Sequence, residues 1–227
     1  MYDLILASNE VGNFFLPDLD SDIIIKTIKN GKVYEKPVVD SFKKYVKPDS
    51  IAIDLGANVG QMTVALSKLC KTVYSVEADP YFTSILHKNL AINSAWNCQV
   101  LSVAAWDKTG ELLPYPEPDL NKFKSLGSFG IVPTSNSKRF IHSLALDDLN
   151  LENVSFIKID VQGSDLKAMQ GLTKTIKRCK PAIIFEYEPT FDDYFSINIS
   201  DYEDFVKSIG YVLKASYENN NLIMPKS

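Results

Sequence analysis

The stretch Ile51-Ala52-Ile53-Asp54-Leu55-Gly56-Ala57-Asn58-Val59-Gly60 is an apolar run that breaks into a turn with the spacing Asp-x-Gly-x-Asn-x-Gly. A buried strand that enters such a turn and leaves as a helix offers free N–H groups to a carboxylate or phosphate, and Gly56 lets the backbone approach the ligand. The spacing is not the dinucleotide pattern Gly-x-Gly-x-x-Gly. Asp54, just ahead of the turn, would repel a pyrophosphate and suits the ammonium of an amino-acid-bearing cofactor. Such turns also serve structure alone, so the acids further along carry weight. Glu77, in Val76-Glu77-Ala78-Asp79-Pro80, stands about 20 residues past the turn, where a carboxylate can accept both hydroxyls of a ribose. Asp79, directly ahead of Pro80, fits a helix cap better. Asp160 ends a further apolar run. Glu186 and Glu188, in Phe185-Glu-Tyr-Glu-Pro189, share one face of a strand. These acids can hold substrate or, together, a divalent cation through hard oxygens, although no metal is expected.

These residues need a frame. Strands are expected at 50–54, 72–76, 99–104, 155–160 and 181–186, each apolar on both faces, as in a parallel sheet covered by helices. Between them Val59, Met62, Ala65, Leu66 and Leu69, then Phe82, Ile85, Leu86 and Leu90, then Leu166, Met169, Leu172 and Ile176 recur at helical spacing. The alternation implies right-handed crossovers and a doubly wound α/β sheet. Residues 211–215 and 222–224 read as a terminal antiparallel hairpin. Residues 1–49 are expected to form an N-terminal helical extension, with helices at 22–30 and 36–46. Residues 111–141, rich in Pro and Gly, are expected to be a lid or substrate loop. His142 follows that loop and is a candidate for touching substrate, whereas His87 faces solvent. Tyr115, Phe123, Phe129 and Phe140 suit either an apolar wall or a loop anchor, and Trp106 suits either an adenine border or the core.

The chain of 227 residues fits one domain, 1–227, with 45% hydrophobic and 23% charged residues excluding wholesale disorder. A mean hydropathy of -0.06 and the absence of a long apolar run leave no membrane span. A net charge of -4 argues against a nucleic-acid-coating surface. Three cysteines without short spacing suit neither a disulfide framework nor a zinc site. With no basic-then-apolar start, a cytoplasmic location is expected.

Five blocks in order, Asp54-Leu-Gly-Ala-Asn-Val-Gly60, Val76-Glu-Ala-Asp-Pro80, Val103-Ala-Ala-Trp-Asp-Lys-Thr-Gly110, Leu146-Asp-Asp-Leu149 and Ile157-Lys-Ile-Asp-Val-Gln-Gly163, resemble those of FkbM-type S-adenosylmethionine-dependent methyltransferases. Gly31 with Glu35, and Leu126-Gly-Ser128, are weaker points of similarity. The resemblance spans about residues 20–190. It implies the class I methyltransferase fold, Rossmann-like, with seven strands of which the last is antiparallel. It also implies S-adenosylmethionine as cofactor, S-adenosylhomocysteine as product, and O-methylation of a sugar or glycan hydroxyl.

On that resemblance Asp54, Gly56, Ala57, Asn58 and Gly60 surround the amino-acid end of the cofactor and Glu77 holds its ribose. Ala78 and the region of Val103 and Ala104 flank the adenine. Asp160 is the expected base, with the alternative of holding the methionine end, and Glu186 is the second catalytic candidate. His142 and Glu188 are assigned to substrate. Gln162 departs from the family's usual glutamate; it keeps hydrogen bonding, loses any base function and is assigned to the cofactor. The competing readings are a methyltransferase-fold protein that binds cofactor or a partner without catalysis, and a methyltransferase for a non-sugar small molecule. Nucleic-acid methylation lacks both its Asn/Asp-Pro-Pro-Tyr/Phe motif and a basic surface. The acceptor is expected to be a small molecule or glycan, and the oligomeric state is left open.

Overall fold

A computed structural model describes residues 3–116, 130–131 and 137–226. Its frame is a seven-stranded sheet in the order β11-β12-β10-β9-β3-β4-β5. The strands are β3 (Ile51–Leu55), β4 (Thr72–Val76), β5 (Cys98–Leu101), β9 (Val154–Ile159), β10 (Ala182–Glu186), β11 (Tyr211–Tyr217) and β12 (Asn220–Pro225). All neighbours are parallel except β12, which runs antiparallel to both β10 and β11. Their apolar runs are long enough only for short strands buried on both faces, as β9 shows along its whole length. Chain order reverses between β3 and β9, and the crevice at that switch is where such sheets bind ligands.

Helices α2 (Lys36–Tyr45), α3 (Gln61–Ser67) and α4 (Pro80–Ile92) belong to the core on one face, where Phe42 meets Phe156 edge-on at 5.1 Å. Helices α5 (Asp165–Gln170), α6 (Thr173–Cys179) and α8 (Ile199–Ser208) belong to the other, where Phe185 stacks on Tyr202 at 5.5 Å. The short α7 (Asp192–Phe195) precedes α8.

Three expectations need correction. The N-terminal extension is not wholly helical: a hairpin of β1 (Leu4–Ser8) and β2 (Asn13–Pro17) precedes α1 (Ile23–Lys29) and α2. The Asn9 side chain closes its turn by accepting from the N–H groups of Val11 and Gly12. The fully buried Asn89 of α4 docks the hairpin, accepting from Phe15 N–H at 2.7 Å and donating to the Phe15 and Val59 carbonyls. The strand expected at 99–104 is two elements, since the chain leaves the main sheet after Leu101 and β6 (Ala104–Ala105) pairs instead with a strand at Arg139–Leu144, β8. The ends of the expected 111–141 loop are themselves strands, β7 (Leu112–Tyr115) and β8 (Arg139–Leu144), paired antiparallel. Phe123 and Phe129, like most of that loop, lie outside the described residues.

Candidate active site

A cavity of about 250 Å³ opens at the C-terminal edge of β3, β4, β9 and β10. The glycine turn forms one wall. Gly56 has φ +81°, and a Cβ there would stand 1.8 Å from the Asp160 carbonyl oxygen, so only glycine allows β3 and β9 to close at this point. The Gly56 and Ala57 N–H groups both donate to the Val76 carbonyl, which ties the turn to the end of β4.

Glu77 continues that tie. One oxygen accepts from Asn58 N–H and the other from Asp79 N–H, each at 2.8 Å. Burial pushes its carboxyl up to about 7 against those two donors, and the charges of Asp79 and Asp54 push the same way. Each carboxylate oxygen keeps a further lone pair, which suits a pair of ribose hydroxyls. Ala78, Phe82, Val103 and Ala104 add apolar surface on the same side of the cavity.

The opposite side is built from charge. Lys158, buried on β9, reaches Asp160 at 3.0 Å. Burial opposes its charge, but Asp160, Asp54 and Glu35 together drive its pKa above the usual lysine range. Burial alone would raise Asp160; Lys158, Glu186 and Gln162 outweigh it and hold the group below the usual carboxylate range. Glu186 goes the other way, up to about 10, through burial and the charges of Asp160 and Asp165. The two groups are thus pushed apart, Asp160 toward its ionised form and Glu186 toward its neutral form. Gln162 spans them, its amide donating to Asp160 Oδ1 at 2.9 Å and to Glu186 Oε2 at 3.4 Å. Asp160, the expected base, is thus held down by its lysine rather than made more basic by burial.

The structure brings Gly56, Ala57, Asn58, Glu77, Ala78, Ala104, Asp160, Gln162, Glu186 and Glu188 onto this one cavity. Three other candidates stand off its lining. Asp54 is fully buried, with Oδ2 accepting from the Thr63 hydroxyl at 2.6 Å. Gly60 faces inward, where a Cβ would meet Leu86. His142 sits on the exposed face of β8, opposite Leu112. His87 is exposed as expected. Trp106 fills a small core with Ala104, Tyr115 and Ile131 and packs on Phe195. Tyr115 lines the cavity while Phe140 is exposed. Sequence reasoning missed Tyr34, Gln61 and Lys158, and took Glu35 only as a point of family similarity; all four line the cavity. The one signal for Lys158 was a lysine inside an otherwise apolar strand, a charge that burial demands be paired.

The donor set fits a nucleoside cofactor with an amino-acid tail: acceptors for ribose hydroxyls, an apolar flank for a base, and anionic groups for cationic centres. Among the described residues, no group of three or more His, Cys, Asp or Glu is arranged to hold a metal. Nor is any described helix long and apolar enough to cross a membrane.

The sheet order and the site define a class I methyltransferase domain. The family model for the methyltransferase FkbM domain matches residues 54–213, and the chain belongs to the FkbM methyltransferase family, whose cofactor is S-adenosylmethionine. Methyltransferase FkbM from Methylobacillus flagellatus KT superposes with a TM-score of 0.53 at 16% identity, covering 82% of this chain and 50% of that one. SMU.1697c of Streptococcus mutans, provisionally assigned as a methyltransferase and solved with SAH, superposes with a TM-score of 0.52 at 13% identity over 83% and 94% of the two chains. In sequence, the probable cobalt-precorrin-6B C(15)-methyltransferase (decarboxylating) of Methanocaldococcus jannaschii is 31% identical over 70 residues, 31% of this chain and 38% of its own length. The chain thus spans half or less of the length of two of these relatives.

Proposed function

We propose that this protein transfers a methyl group from S-adenosylmethionine to a hydroxyl of a small polar acceptor, a sugar or glycan unit. When bound, the cofactor supplies an electrophilic methyl for in-line displacement. The chain's own residues must then place an oxygen opposite that methyl and accept its proton. The observation that carries the reading is the Asp160–Glu186 pair at the ends of β9 and β10, beside the glycine turn. Asp160, held anionic by Lys158, accepts the hydrogen bond of an incoming hydroxyl and receives its proton as the new bond forms. Gln162 keeps the two carboxyl groups together while the charge on the pair changes. Glu188 lines the same cavity and offers a further acceptor, as a polyhydroxyl ligand requires.

The test is conversion of S-adenosylmethionine to S-adenosylhomocysteine with a panel of free sugars and glycans, beside phenol, amine and carboxylate acceptors. Product formed with sugars supports the proposal. Turnover confined to another panel moves the acceptor class, and tight cofactor binding with no turnover on any panel favours a binding module.

A further inference from the structure

We propose that Glu35, from the segment joining α1 to α2, is the residue that accepts the ammonium of the cofactor's amino-acid end. The inference rests on the cofactor reading above and replaces the expectation that Asp54 takes this role. Asp54 lies beneath the turn, off the cavity lining and bonded to Thr63. Burial also favours its neutral form. Its other oxygen, Oδ1, is also buried without a hydrogen-bond partner among the described residues, but Asp54 is not part of the cavity lining.

Glu35 reaches the same cavity from the other side, on a segment fixed at several points. Gln61, the first residue of α3, donates from its amide to the Tyr34 carbonyl at 2.9 Å and accepts from Tyr34 N–H at 3.1 Å. Asn9 donates to the same Gln61 oxygen at 3.1 Å and to the Lys32 carbonyl at 2.9 Å, so the N-terminal hairpin braces the segment. At the far end Asn220 of β12 donates to Glu35 Oε1 at 2.8 Å. Glu35 itself has φ +48°, a conformation non-glycine residues adopt at a cost. Its other oxygen, Oε2, is buried and has no hydrogen-bond partner among the described residues.

The Asp160 and Glu186 carboxyl groups on this side already accept hydrogen bonds. Lys158 and Gln162 donate to Asp160, and Gln162 also donates to Glu186. Among the described residues the Glu35 Oε2 is a carboxylate oxygen on the cavity lining that is buried without a partner, which suits a ligand with several N–H donors. Burial raises the Glu35 carboxyl above its ordinary value; Lys158 opposes this, and an arriving cation would oppose it further.

The test is a residue–ligand cycle read by calorimetry rather than turnover. S-adenosylhomocysteine and its analogue with the amino group replaced by hydrogen are titrated into wild type and Glu35→Gln. In wild type, loss of the amino group is expected to weaken binding at least tenfold. Glu35→Gln should weaken S-adenosylhomocysteine by a similar factor while binding the analogue within twofold of wild type. The proposal is overturned if the amino group makes less than a twofold difference in wild type, a result that needs no variant to fold. It is also overturned if Glu35→Gln weakens both ligands equally, which would mark a bracing role only. A wild type that binds neither ligand defeats the cofactor reading itself. A wild type that binds both, with no coupling to Glu35, defeats this inference alone.

Discussion

The two sides of the cavity solve the burial of carboxylates differently. On the β4 side Glu77 is held by main-chain N–H groups of Asn58 and Asp79, two turns whose course is set by local residues. On the β9 side Asp160, Asp54 and Glu35 act on a single buried lysine, while Gln162 joins Asp160 to Glu186 and Asn220 holds Glu35. The first arrangement fixes one acid in place and leaves it poised near neutrality. The second pushes two acids apart, one toward its ionised form and one toward its neutral form. A positioning task calls for the former and proton transfer for the latter.

The largest expected effect tests the charged side. Asp160→Asn keeps the shape and removes the anion, so turnover should fall by about 10²–10⁴-fold while cofactor affinity stays within a few-fold. Single-turnover kinetics beside calorimetry separate the two; a parallel collapse would make Asp160 a cofactor ligand and move the base to Glu186. Next is Lys158→Met, which leaves buried acids without their cation. Unfolding in denaturant should show a loss of about 3–5 kcal/mol, and a loss below about 1 kcal/mol would mean these acids are held by something else.

The main-chain side predicts a smaller and pH-dependent change. Glu77→Ala should weaken S-adenosylhomocysteine by about 1–3 kcal/mol. Ribose hydroxyls donate to the ionised form, so wild-type affinity should rise as pH climbs through about 7, with proton release on binding, whereas Glu77→Gln should give a flat profile. Stability runs the opposite way. Glu77 and Asp165, both pushed up to about 7, keep protons that the unfolded chain gives up at lower pH. Their contribution therefore falls as pH rises from the usual carboxylate range to about 7. A ligand-free melting temperature unchanged by Glu77→Gln at pH 8 would contradict this. The smallest effect is expected from Gln162→Glu, which exchanges an amide donor for a third acid beside Asp160 and Glu186. It should cost about 1 kcal/mol of stability and raise the apparent pKa governing turnover, and an unmoved pH profile would show that Gln162 does not bridge the pair.

The same contrast explains what could be read from the chain alone. The alternation of parallel strands and helices, the terminal hairpin, the glycine turn and the positions of Glu77 and Asp160 at strand ends follow from short apolar runs and from residues local to each turn. The β1–β2 hairpin escaped because its docking depends on Asn89, far away in α4. β7 escaped because Pro114 and its distant partner strand leave little alternation to see. Lys158 and Glu35 were hidden because their meaning lies in each other, in Asp54 and in Asn220, contacts between segments that no spacing rule connects. Asp54 misled for the reverse reason. Its place before the turn suggested a ligand, while its pleat turns it under the turn toward Thr63.

A crystal structure with S-adenosylhomocysteine bound tests the division of this cavity most directly. The account predicts ribose hydroxyls on Glu77, the amino-acid end between the glycine turn and Glu35, and the sulfur directed toward Asp160 and Glu186. A ligand with its ribose on Asp160 or Glu186, or with its sulfur directed away from both, would contradict it.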